Sequence, residues 1–142
     1  MVSLDGLRVY LDSNTLIYAF EGAAEYVNLR DGLLRALEEG RATAVTSNLT
    51  LLEVVAGPRR ANDPELEAAY RQFMKPSSSL HVEPISIAVI ERAIDLRSSL
   101  GFKTPDAIHI ATGMLTGCSH LISRDLQWSR AGIEVIQPQN IV

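Results

Sequence analysis

The sequence predicts an α/β fold, with a parallel sheet of about five strands and helices on both faces. Three observations carry this. Short apolar or β-branched runs alternate with helical patterns along the whole chain. Several of those runs end in a carboxylate or hydroxyl, followed at once by a helix start. The 142 residues, 46% apolar and 21% charged, suit one globular domain spanning 1–142 with a sizeable core. No internal repeat, low-complexity tract or linker interrupts it.

The elements follow in order. Residues 7–11 read as a buried strand ending at Asp12. A short helix over 15–20 takes Ser13 or Asn14 as its cap and is broken by 21–24. A longer helix over 25–39 carries Leu29, Leu33, Leu34 and Leu37 on one face and stops at Gly40. Strand two spans 42–46. Ser47 then caps a helix that Gly57-Pro58 ends. Asp63-Pro64 opens a helix with Leu66, Tyr70, Phe73 and Met74 at helical spacing. A loop over 75–79 leads into strand three, 80–85.

Ser86 caps a helix that runs to Gly101, with Ile90, Ile94, Leu96 and Leu100 along it. Thr104-Pro105-Asp106 opens the next, with Ile108, Ala111, Met114 and Leu115 as its apolar side and Gly117 as its end. Strand four is 119–123, a turn or short helix covers 126–131, and strand five is 133–136.

Composition excludes several functions. The formal charge of −4 does not suit binding of nucleic acid by charge alone, so any such contact is local or assisted by a cation. The single cysteine, Cys118, rules out an intramolecular disulfide and Cys-rich zinc sites. Its apolar setting makes it a core residue. With no signal peptide and no membrane-length apolar run visible, a cytoplasmic location is expected.

Four carboxylates stand out. Asp12 and Asp125 leave strand ends, and Glu53 and Asp106 lie near the amino ends of helices. In a doubly wound sheet these positions share one edge, where ligands bind. Each has an ordinary structural role as well. Asp12 and Asp125 suit caps or turns, Asp106 suits the helix dipole, and Glu53 suits an ion pair with Arg59 or Arg92. Glu53 is the most telling, because its helix is apolar on nearly every side and an unpaired buried charge is costly. Together the four form an oxygen-rich cluster suited to Mg²⁺ or Mn²⁺, and such an ion would attract phosphate.

Leu-Asp-Ser-Asn-Thr-Leu-Ile-Tyr at 11–18, Leu-Leu-Glu-Val at 51–54, Thr-Pro-Asp-Ala-Ile-His-Ile-Ala at 104–111 and Ile-Ser-Arg-Asp-Leu-Gln-Trp at 122–128 resemble the motifs of the PIN-domain family, in order and over nearly the whole chain. The resemblance implies a three-layer α/β/α domain and a metal-dependent ribonuclease. It points further to a VapC-like toxin of a type II toxin–antitoxin pair, held by a cognate antitoxin and forming a homodimer. It maps the family's acidic quartet onto Asp12, Glu53, Asp106 and Asp125. Asp12, Asp106 and Asp125 are then the ligands of Mg²⁺ or Mn²⁺, Glu53 positions or activates water, and Ser13, Asn14 and Ser123 support them. The implied products carry a 5′-phosphate and a 3′-hydroxyl. Gln127 stands where many members have a further acid, which leaves Asp125 as the acid on that side.

Around the quartet, Arg124, Lys103, Arg97 and Arg130 are candidates for holding RNA phosphates. Arg124 leads because it adjoins Asp125. His109, three residues after Asp106, is expected to pack or support rather than to ligate. Trp128 is expected to pack over a strand end rather than to stack a base. His81 and His120 suggest no role. Two other functions compete. A haloacid-dehalogenase-like phosphatase needs an acid two residues after its nucleophile, and that position is Asn14. A non-enzymatic or weakly active binding module is the stronger rival.

Overall fold

The computed structural model describes residues 1–22 and 24–142. Ala23, within the break expected over 21–24, lies outside the described residues. Strand β1 (Arg8–Leu11) is central and almost wholly buried. Its side chains alternate between two cores. Val9 and Leu11 enter one, while Tyr10 enters the other. Strands β2 (Thr43–Ser47), β3 (Leu80–Glu83), β4 (His120–Ile122) and β5 (Glu134–Ile136) join it in the order β3-β2-β1-β4-β5. Every pairing is parallel. Val9 lies opposite Ala44 on one side and His120 on the other.

Six α-helices among the described residues cover the sheet in two layers. Helices α1 (Ser13–Glu21), α2 (Val27–Glu38), α3 (Asn48–Arg60) and α4 (Pro64–Phe73) bury Leu16, Leu29, Leu33, Val54 and Tyr70 against Val9 and Leu11. Helices α5 (Ile87–Leu100) and α6 (Thr104–Leu115) bury Val89, Leu96, Ile110 and Ala111 against Tyr10 and Val45. The result is the three-layer α/β/α arrangement that the alternating pattern predicts. The chain order reverses around β1. It moves outward through β2 and β3, then crosses back to β4, so the carboxyl ends of β1 and β4 flank the switch point where such sheets bind ligands.

Local chemistry explains most helix starts. Ser47, Asp63 and Ser86 each accept a hydrogen bond from a first-turn amide, at Leu49, Leu66 and Val89. Gly101 ends α5 in the left-handed region, at φ 75°. The cap of α1 differs from expectation. It is Asp12, rather than Ser13 or Asn14, because the carboxylate accepts the Thr15 amide at 2.7 Å. The helix therefore begins at Ser13, two residues before the start read from the sequence.

Other elements also depart from the sequence reading. Helix α3 continues through Gly57-Pro58 to Arg60. Pro58 forfeits an amide bond there, but its ring is buried, and its carbonyl accepts from the Asp63 amide at 2.9 Å. Strand β3 stops at Glu83, two residues early, because Pro84 cannot donate to a ladder. Residues 24–26 form a 3₁₀ turn before α2 begins. Ile94 is 51% exposed, since Val89, Ala93 and Leu96 form the inner side of α5. The apolar residues between Asp12 and Leu37 serve the core; Leu16, Ala19, Leu29, Leu33, Ala36 and Leu37 are buried, while Val27 is exposed.

Helix α6 is rotated relative to its apolar pattern. Its inner side is Ala107, His109, Ile110, Ala111, Thr112 and Gly113, while Leu115 faces solvent. Small residues permit a close approach to the sheet. A Cβ at Gly113 would lie 2.7 Å from Leu121 Cδ2 and 3.1 Å from Tyr10 Cβ. Gly113→Ala therefore drives the helix off β1 and β4. Thermal denaturation of this variant should show a loss of about 1–3 kcal/mol; an unchanged or raised melting temperature would contradict the packing described.

Candidate active site

Asp12 follows β1 at the switch point and is 4% exposed. Its Oδ1 accepts the Thr15 amide. The Thr15 hydroxyl in turn donates to the Ile122 carbonyl at 3.0 Å, which ties α1 to the end of β4. Burial pushes the Asp12 carboxyl above the usual aspartate range; Thr15, the Ser123 hydroxyl and His109 offset only part of this. Asp12, Ser13, Asn14, Glu53 and Asp106 line one cavity of about 290 Å³, together with Ile17, His109 and Trp128. A larger groove of about 620 Å³, lined by Phe20, Leu34, Leu37 and Phe73 among others, is mainly apolar and holds none of the four acids. The small cavity is the one lined by three of the four acids.

Glu53 projects from the second turn of α3, with a side chain about one-third exposed (32%). Its partners are not Arg59 or Arg92. Arg59 pairs with Glu67 instead. Glu53 Oε1 accepts the Ser13 hydroxyl at 2.6 Å and faces His109 Nε2 at 2.6 Å. These contacts, the His109 bond foremost, hold the Glu53 carboxyl below its usual range. His109 is 3% exposed, and its Nδ1 lies 2.5 Å from the Tyr10 hydroxyl. Trp128 covers the ring from one side, with centroids 6.1 Å apart and planes 20° from parallel. The sequence singled out neither Tyr10 nor its link to Glu53. A tyrosine in an otherwise aliphatic strand, opposite an inward histidine, was the signal available.

Asp106 sits in the first turn of α6. Burial, then the charges of Asp125 and Glu53, push its carboxyl up, against relief from His109 and Lys103. Asp125 is exposed at the rim and caps the 3₁₀ helix at 126–131, accepting the Gln127 amide at 2.9 Å. Ser123 is buried and accepts the Asp125 amide at 3.1 Å. Arg124 is exposed, its guanidinium 5.5 Å from the centre of the Tyr18 ring. Arg97 and Arg130 serve the turn between α5 and α6 instead, donating to the carbonyls of Phe102 and Leu100. None of Arg97, Lys103, Arg124 and Arg130 is among the residues that line the cavity.

The donor set favours a hard cation. Among the described residues, Asp12 and Asp106 form no ion pair. A buried, unpaired carboxylate needs a proton or a cation; burial is the main cause that raises both groups, and the charges of Asp125 and Glu53 add to it at Asp106. As the side chains stand, no three His, Cys, Asp or Glu residues among those described are close enough to share one ion. The carboxylate oxygens around the cavity nonetheless fit Mg²⁺ or Mn²⁺ in chemistry.

A parallel α/β/α sheet with an acid-lined cavity at its switch point defines a class that comparison makes specific. The family model described as "PIN domain" matches residues 9–134. The chain belongs to the PIN-domain family. A chain of a toxin–antitoxin complex from Klebsiella pneumoniae shares 28% identity at a TM-score of 0.68, over 92% of this chain and 97% of that one. A chain of VapBC2 from Rickettsia felis, bound to a promoter DNA fragment, gives 14% identity and a TM-score of 0.72, over 92% and 98%. VapC20 of Mycobacterium tuberculosis, a toxin that cleaves the sarcin–ricin loop, gives 18% and 0.68, over 88% and 95%. The curated proteins include no significant match.

Asp12 gives a pH-dependent prediction. A carboxyl whose folded pKa is raised favours folding when protonated, so its stabilisation is full below the ordinary value of 3.8 and is lost as pH rises through the raised value. Asn at this position stays neutral and keeps an oxygen for the Thr15 amide. Without added metal, Asp12→Asn should melt higher than wild type at pH 7, and the gap should close towards pH 4. A variant that melts lower at pH 7 would contradict an uncompensated charge.

Proposed function

We propose that this chain is a metal-dependent endoribonuclease that hydrolyses RNA phosphodiester bonds, and that it is the toxin of a type II toxin–antitoxin pair. One observation carries the reading. Asp12 is buried without a counter-charge, in a cavity shared with Asp106 and Glu53 at the sheet's switch point. Membership of the PIN-domain family and the likeness to toxin chains support it. The proposal includes a cognate antitoxin, a homodimer and a cytoplasmic site of action. No helix among the described residues is long and apolar enough to cross a membrane.

Asp12 and Asp106 would hold Mg²⁺ or Mn²⁺, with Asp125 joining from the rim. When bound, the ion neutralises charge on the non-bridging phosphate oxygens and lowers the pKa of water. Glu53 accepts the proton of the attacking water. Its carboxyl is held below its usual range, so it is ionised at neutral pH and ready as a base. A new P–O bond forms as the bond to the 3′ oxygen breaks, and that oxygen takes a proton from solvent water, leaving a 3′-hydroxyl and a 5′-phosphate. Ser13 holds Glu53 by its hydroxyl, Asn14 lines the cavity, and Ser123 stands beside Asp12 and anchors the Asp125 backbone. Arg124, exposed beside Asp125, and Lys103, near Asp106, would hold neighbouring RNA phosphates.

Cleavage of a labelled RNA panel with Mg²⁺, Mn²⁺ or EDTA tests this. Wild type should cut only with metal. Asp12→Asn and Asp106→Asn should each lose on the order of 10²-fold or more in rate, as expected when the charge-stabilising site is removed. No cutting by a folded wild-type protein under any condition would favour the binding module.

A further inference from the structure

His109 lines the acid cavity, yet the hydrolytic scheme assigns it nothing. Both ring nitrogens are engaged. Nε2 lies 2.6 Å from Glu53 Oε1, and a carboxylate oxygen only accepts. Nε2 must therefore carry the hydrogen, because a bare nitrogen there would set two lone pairs against each other. With a single proton on the ring, Nδ1 is the acceptor, and the phenol of Tyr10, at 2.5 Å, supplies the hydrogen between them. Tyr10 is fully buried in β1, and burial keeps its phenol protonated. The chain of donors thus has one direction, from Tyr10 through His109 to Glu53.

Its far end is asymmetric. Oε1 takes two hydrogen bonds, from Ser13 and from His109. Among the described residues Oε2 takes none, although the side chain is partly open to the cavity. We propose that His109 is a positioning residue, locked in its Nε2–H tautomer by Tyr10, that fixes Glu53 by Oε1 so that Oε2 faces the attacking water. This rests on the hydrolytic reading above and adds to it a buried support. The ring is only 3% exposed, with Trp128 over one side, so its loss should alter turnover rather than binding.

Two measurements test it. In steady-state RNA cleavage with Mn²⁺, His109→Leu should lose about 10- to 100-fold in kcat, the order of a misplaced general base, with KM little changed. His109→Gln, which restores an N–H donor of similar length, should recover most of that loss. Tyr10→Phe should fall between. Independently of activity, ¹⁵N NMR of the imidazole should show Nδ1 unprotonated and Nε2 protonated in wild type, with the preference weakened in Tyr10→Phe. An active wild type with a His109→Leu variant of equal kcat, or with His109→Gln as impaired as His109→Leu, would overturn the positioning role alone. A protonated Nδ1 in wild type would overturn the tautomer and with it the proposal. An inactive wild type would sink the hydrolytic reading and the positioning role together. Should His109→Leu fail to fold, His109→Gln, Tyr10→Phe and the spectrum still decide.

Discussion

The arrangement turns on one buried carboxylate. Asp12 ends the central strand and caps the first helix with the same side chain, so the path of the chain and the charge of the site cannot be separated. The cap satisfies one oxygen and leaves the group short of a counter-charge. Burial raises its pKa, and Asp106 nearby is raised as well, partly by other acids. A protein with no use for a cation here could have capped α1 with Ser or Asn, as Ser47 caps α3, without burying a charge. Burying an acid is the more costly solution, and it suits a site that takes up a hard cation.

The second constraint is the closeness of α6 to the sheet. Ala107, Ala111 and Gly113 bring the helix down onto Tyr10 and Leu121, and this lowers His109 between the phenol of β1 and the carboxylate of α3. Three elements far apart in sequence meet through one imidazole. Glu53 is consequently held by the Ser13 hydroxyl and the His109 ring, and among the described residues no arginine pairs with it.

Much of the fold was readable because strand and helix signals alternate cleanly and parallel sheets leave few topologies. Five strands and their helices follow from that alternation, and the same logic puts Asp12, Glu53 and Asp106 on one edge. Where the reading missed, a local rule lost to packing. Gly57-Pro58 reads as a stop, but a buried proline ring kept α3 going. The large apolar residues of α6 suggested one face, while the contact with the sheet was made by small residues and a histidine. Arg97 and Arg130 read as candidates for holding RNA phosphates, and each gives one donor to the α5–α6 turn. The Tyr10–His109–Glu53 chain spans residues too distant in sequence for any spacing rule to join.

The central claim is that the uncompensated acids at the switch point form a cation site. Calorimetric titration of the wild-type protein and Asp12→Asn with Mn²⁺, in the absence of RNA, tests it without relying on catalysis. The account predicts saturable binding to wild type and a large loss of affinity in the variant. Equal binding by both, or none by a folded wild-type protein, would contradict it.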